Sequence, residues 1–145
     1  MKQKEFDLDR FLEAQQHSYE IALQELHHGK KRSHWIWYVF PQLRGLGVSS
    51  TSHTYGLSGL AEAQAYLAHP ILGQRLKEAI NAMLAHRSRT AESVLGELDA
   101  LKFRSSLTLF SIAVPSEPIF NNALECFFGG ELDTRTQELL AQSTN

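Results

Sequence analysis

Apolar residues along this chain recur three and four positions apart, the spacing of one face of an α-helix. Leu8, Phe11, Leu12, Tyr19, Ala22, Leu23 and Leu26 follow it, with one polar interruption at Gln15. Asp7 is placed to cap this first helix, and Phe6 and Phe11 sit where a hydrophobic staple would close. Gly29 stands at the C′ position, where a left-handed residue ends a helix. Further on, Ser58 opens a helix that runs to about Ala68. His69 and Pro70 then restart the chain as N-cap and first helical residue. Ile71, Leu72, Leu76, Ala79, Ile80, Met83 and Leu84 form the clearest amphipathic stripe in the sequence.

Thr90 can cap a short turn through Leu95, and Asp99 is expected to cap the helix after it. That helix is apolar on several faces through Leu101, Phe103, Leu107, Leu109, Phe110 and Ile112, which marks it as central. Pro115 ends it. Ser116, Glu117 and Pro118 begin another, with Phe120, Ala123, Leu124, Phe127 and Phe128 on its buried face and Gly129-Gly130 as its stop. Asp133 caps a last helix carrying Leu139 and Leu140.

The aromatic run HWIWYVF reads as a short helix capped by Ser33 and ended by Pro41. A strand competes, because the run is aromatic and β-branched. Helix is preferred because Pro41, Gly45 and Gly47 close the run and no partner strand follows. Residues 42–56 are rich in Gly, Ser and Thr and read as one long irregular loop, a length often tied to function or mobility. The expected architecture is all-α: a compact single-domain bundle of about seven helices with one long Gly/Ser-rich loop. The domain spans 1–145, with residues 1–5 expected as a disordered tail and 141–145 as a frayed end.

Composition narrows the setting. A chain of 145 residues fits one domain and buries roughly two-thirds of its unfolded surface without a staple. Its one cysteine, Cys126, excludes an internal disulfide and favours a reducing compartment, so a cytoplasmic location is expected. No apolar leader follows Met1, and no apolar run approaches the ~20 residues that span a bilayer. Net charge is −2, which argues against nucleic acid as partner. The distribution is uneven, however. No acidic residue occurs between Glu25 and Glu62, while Lys30, Lys31, Arg32, Arg44 and four histidines do. Together in space they would form a locally positive surface.

Four blocks carry a resemblance: KRSHWIWYVFPQLRGLG from Lys31, AYLAHPILGQRL from Ala65, LKFRSSLTLF from Leu101 and FFGGELDTRT from Phe127. Together they resemble the family called domain of unknown function 1810, whose members are sometimes labelled calpastatin. The resemblance runs from about Phe6 to Leu140. It implies a small, mostly helical, single-domain bacterial or fungal protein, and it carries over no activity.

Candidate chemistry concentrates in two places. At Lys31, Arg32, Ser33 and His34, free N–H groups of a helix start and nearby cations could hold an anion or phosphate. Trp35 or Trp37 could stack on a base. The competing reading has Ser33 only capping, the basic residues solvated and the tryptophans in the core. Two tryptophans two residues apart cannot share one helical face, so one should lie under the loop or line a cleft. Gln42, Arg44 and Tyr55 flank this region along the loop. The second place is Lys102, Arg104, Ser105 and Ser106 on the central helix. Lys102 and Ser106 are one turn apart and could act as base and nucleophile or bind an anion. Serines in packed helices more often bond the carbonyl four residues back.

No cofactor motif is present, and the histidines lack metal-ligand spacing. Cys126, among phenylalanines, reads as buried and inert. No cofactor, no metal and a monomer are therefore expected. Two functions follow. One is a binder of, or enzyme acting on, an anionic small molecule, phosphorylated or nucleotide-like, held by the basic and aromatic residues. The other is a non-catalytic helical interaction or regulatory module whose aromatic residues serve a partner.

Overall fold

Nine helices, not seven, are found among residues 6–143, the part of the chain that the computed structural model describes. They are α1 (Asp9–His28), α2 (Ile36–Val39), α3 (Ser50–Tyr55), α4 (Leu60–Ala68), α5 (Leu72–Leu84), α6 (Ala91–Leu95), α7 (Glu97–Ala113), α8 (Ile119–Phe128) and α9 (Thr134–Ser143). The all-α expectation holds, and the aromatic run contributes the helix α2 rather than a strand. Residues 141–143, part of the stretch expected as a frayed end, lie in α9. The expected tail at 1–5 and the last two residues lie outside the described part.

The core is built around α7, which packs on α4, α6, α8 and α9. Its buried positions go round the helix: Ala100, Phe103, Ser106, Leu107, Leu109, Phe110 and Ala113 all lie inside. Three hydroxyls within this apolar helix, those of Ser105, Thr108 and Ser111, are satisfied locally. Ser105 Oγ donates to the Leu101 carbonyl at 3.1 Å and Thr108 Oγ1 to the Arg104 carbonyl at 2.8 Å. Thr108 Oγ1 also accepts from the Asp133 N–H at 2.8 Å, tying α7 to the start of α9. A second layer pairs α1 with α5, and α5 with α4. Gly73 permits that last approach, because a Cβ there would lie 2.0 Å from the Leu67 carbonyl oxygen.

Helix ends follow the sequence where the chemistry is local. Gly29 has φ 78° and makes both backbone bonds of a Schellman motif, Gly29 N–H to Leu26 O and Lys30 N–H to Glu25 O. His69 Nδ1 accepts from the N–H groups of Ile71 and Leu72, as an N-cap does. Thr90 Oγ1 accepts from Ser93 N–H, and Asp133 Oδ2 from Thr136 N–H.

Elsewhere the expected caps are displaced. The helix α1 begins at Asp9 with Leu8 before it and no side-chain cap, so Asp7 does not serve. The helix α4 begins at Leu60, with Ser58 turned instead to the Glu62 carboxylate. The helix α7 begins at Glu97, so Asp99 is inside it.

The long loop is not irregular. Its ends are pinned by an isolated parallel bridge between Leu43 and Leu57, with Arg44 N–H bonding Leu57 O and Leu57 N–H bonding Gln42 O. Inside lies α3, capped by Ser49. Arg10 reaches from α1 to the carbonyls of Thr54 and Gly56 and pairs with Glu62 at 2.9 Å. Carbonyls at the end of so short a helix have no helical partner, and a guanidinium satisfies two acceptors at once. Among the described residues no helix is long and apolar enough to cross a membrane.

Candidate functional site

The segment between α1 and α2 is shaped by one carboxylate. Glu25, near the end of α1, accepts four hydrogen bonds: from Arg32 N–H, Ser33 N–H, Ser33 Oγ and Trp35 Nε1, all between 2.6 and 3.0 Å. Burial by itself works to raise the Glu25 carboxyl. The bonds from Ser33, Arg32 and Trp35 outweigh it and hold the group at about 2, below its ordinary 4.5. The N–H groups expected to receive an external anion are therefore filled by the chain's own anion. Ser33 does not cap α2, which starts at Ile36 behind Trp35. With four residues, α2 offers no dipole of consequence.

Beside this knot, between the 31–38 segment and the start of α7, lies a cleft of about 190 Å³. It is lined by Lys31, His34, Trp35, Ile36, Trp37, Tyr38, Thr51, Asp99 and Lys102. Both tryptophans reach it while remaining largely buried. Trp37 also lies under the loop, close against Gly47. The expected division of the pair, one indole in the core and one at a cleft, is not found: Trp35 lies outside α2, and both indoles are buried and line the same cleft.

The charges are ordered + − +. Asp99 Oδ2 lies 2.7 Å from Lys31 Nζ, and its Oδ1 lies 3.5 Å from Lys102 Nζ. Lys31 is the fixed member, its side chain only 7% exposed. Its ammonium also donates to the Ser33 carbonyl and stands 4.9 Å over the Trp35 ring. Lys102 is 38% exposed and has only the longer contact with Asp99. His34 and Thr51 are exposed at the rim. The donors open to an incoming molecule are thus Lys102, His34 and Thr51, above a floor of indole.

A family model described as "Protein of unknown function (DUF1810)" matches residues 5–140. The chain belongs to that family. The crystal structure of the conserved hypothetical protein Rv1873 from Mycobacterium tuberculosis resembles this DUF1810 chain at 47% identity with a TM-score of 0.91. It covers 94% of this chain and 97% of that one. No curated protein matches the chain.

Of the candidate residues, the DUF1810 fold brings Lys31, His34, Trp35, Trp37 and Lys102 to one cleft and leaves the others elsewhere. Arg32 and Ser33 are held by Glu25. Gln42 is buried at the start of the loop, its Nε2 without a partner. Arg44 is exposed, and its Nε bonds the His53 carbonyl. Tyr55 stacks edge-on with Tyr38, 4.8 Å between ring centroids. Arg104 bonds the Leu132 carbonyl at 3.1 Å and lies 4.0 Å from Glu131. Ser105 back-bonds within α7, and Ser106 is buried outside the cleft, so Lys102 engages Asp99 and no lysine-serine pair forms. Cys126, expected to be buried, is exposed on α8.

The sequence reading missed Asp99, Thr51 and Glu25. Asp99 looked like a cap, and Thr51 was one of many hydroxyls in a loop. Glu25 carried one signal, a lone carboxylate at a helix end just before the donor-rich KRSHW. Among the described residues no group of three or more His, Cys, Asp or Glu is placed to hold a metal ion.

Proposed function

We propose that this DUF1810 protein binds a small anionic molecule in the cleft between its 31–38 segment and α7. The observation that supports this reading is the half-exposed Lys102 ammonium, oriented by Asp99 and set beside two indoles and the His34 imidazole. An anion there gains a charge-assisted hydrogen bond and an apolar face for the rest of the molecule. Size limits the ligand. Pockets that enclose drug-sized molecules hold roughly 300–1,000 Å³, and this cleft holds about 190 Å³. A phosphate or carboxylate head fits inside, while a nucleotide would enter by one end only.

The interaction-module alternative needs aromatic residues on the surface. Every aromatic side chain here is buried or half-buried, and the exposed large apolar residues are aliphatic: Ile21, Val48, Ile71, Leu98, Leu101 and Ile112. Indole fluorescence of the full chain, titrated with inorganic phosphate and with a nucleoside monophosphate, tests the proposal. A saturable change is expected, weakened about tenfold in Lys102→Gln through loss of one charged hydrogen bond. Unfolding midpoints should match between the two proteins. No saturable change with either probe, or equal affinity in Lys102→Gln, refutes it.

A further inference from the structure

On a different part of the molecule, α1 and α5 flank a second cleft, of about 490 Å³. Its positive pole is Arg75. One N–H of the guanidinium donates to Gln15 Oε1 at 3.1 Å, and the group stands 5.1 Å over the Tyr19 ring. Gln15 is itself locked. It is almost fully buried, and its Nε2 donates to the Tyr38 carbonyl at 2.7 Å and to Tyr66 Oη at 3.1 Å. With both amide hydrogens engaged, its oxygen can face only one way, and Arg75 is aimed by it. A guanidinium has five N–H donors in a flat fork.

The negative pole is Glu78, one turn along α5. Residues three apart on a helix are neighbours, so opposite charges there are within reach of an ion pair. Here none forms: neither Arg75 nor Glu78 enters an ion pair among the described residues. Tyr19 keeps them apart. Its ring carries the guanidinium, and its hydroxyl donates to Glu78 Oε1 at 2.6 Å. Burial, together with this carboxylate, pushes the Tyr19 hydroxyl well above its usual range, so it stays protonated as the donor. Glu20 adds a second carboxylate to the lining, and Leu23 and Ile71 add apolar surface.

A fork that has kept most of its donors, a carboxylate held separately, and an aliphatic patch in one cleft match a dipolar molecule. We infer that the α1–α5 cleft binds a small zwitterion of the α-amino-acid class. Its carboxylate meets Arg75, its ammonium meets Glu78, and its side chain lies on Leu23 and Ile71. The cleft has room for such a ligand and shares no lining residue with the α2–α7 cleft.

Amide NMR spectra of the full chain, titrated with glycine, alanine, valine and leucine, test the inference. The side-chain amides of Gln15, Gln16 and Gln74, which line the cleft, are the reporters. At least one aliphatic amino acid should shift them saturably. N-acetyl-leucine and leucine amide, each lacking one charge, should bind about tenfold more weakly than leucine. Arg75→Lys, which replaces a fork by a point charge, should weaken leucine by a similar factor. Glu78→Gln, a change at an exposed carboxylate that keeps the fold, should weaken leucine and leave N-acetyl-leucine unchanged. Three results overturn the inference: no saturable shift with any of the four, charge-deleted analogues as tight as leucine, or shifts confined to the Trp35 and Trp37 indoles.

Discussion

Replacing Glu25 by glutamine removes a charge and keeps the shape, which makes it the sharpest test of how the 31–38 segment is held. The carboxyl lies near 2 in the fold against 4.5 ordinarily. At about 1.4 kcal/mol per pKa unit that difference corresponds to about 3 kcal/mol of stability. Glu25 keeps some contact with solvent, and screening lowers the working figure to about 2 kcal/mol. The sign follows from the direction. A carboxyl whose folded value is depressed contributes fully above its unfolded value and loses that contribution as pH falls toward the folded one. The stability gap between wild type and Glu25→Gln should therefore be flat above about pH 5 and shrink between 4.5 and 2.

Urea unfolding followed by tryptophan fluorescence, run on both proteins across that range, measures it. Taking the difference between the proteins cancels the other carboxyls, which titrate in both. Glu25→Ala should cost more, about 3 kcal/mol, because the indole N–H of Trp35 and two backbone N–H groups then lose their acceptor. Glu25→Gln as stable as wild type at pH 7, or a gap that persists unchanged to the acid end, would refute the account of the knot.

Three further outcomes are expected. Gly73→Ala should lose about 3 kcal/mol in chemical denaturation, because the new methyl meets the Leu67 carbonyl oxygen; Gly59→Ala, with open space and an extended backbone, should stay within about 0.5 kcal/mol. Arg10→Met should cost about 3 kcal/mol by leaving the buried Glu62 carboxylate unpaired, and should speed amide exchange across residues 49–58. Tyr66→Phe should cost only about 1 kcal/mol by the same denaturation assay, since Gln15 Nε2 keeps its shorter bond to the Tyr38 carbonyl.

What the sequence showed and what it hid divide along one line. His69, Thr90, Asp133 and Gly29 do what their neighbours suggest, because each capping bond they make reaches only a few residues along the chain. Ser33, Ser58 and Asp99 had the right side chains for caps and were diverted. A carboxylate eight residues back claimed Ser33, Glu62 claimed Ser58, and two lysines claimed Asp99. For the two serines a carboxylate partner outcompetes a neutral cap bond, because charge-assisted bonds are roughly twice as strong, while Asp99 lies inside α7, past the position a cap needs. The loop was misread for a related reason. Its helix is closed by Arg10, more than forty positions earlier, which no local pattern reveals. At the cleft, the tryptophans and lysines were legible as residue types. The arginines were not separable from them, since only the fold decides which cations share a wall. The α1–α5 cleft left a single trace, Gln15 interrupting an apolar stripe, whose meaning depends on a helix sixty residues away.

The acid-free stretch between Glu25 and Glu62 illustrates the same point in charge. Read along the chain, it is a positive segment. In the fold, Glu25 at one end binds its donors, Glu62 at the other end holds Ser58 and Arg10, and Asp99 from α7 closes on Lys31. Lys31 has the most neighbours of any cation in the cleft and, for that reason, the least to offer a ligand. Its three N–H groups are directed at Asp99, the Ser33 carbonyl and the face of Trp35. Lys102 is the reverse case, because its one contact is long and its head reaches solvent. An anion entering the cleft approaches two ammoniums and one carboxylate, so it meets one net positive charge rather than the several that the sequence displays. On the proposed reading, selectivity would come from fit to the indole floor and the narrow volume more than from charge. That favours a compact anion with an apolar face over a polyphosphate.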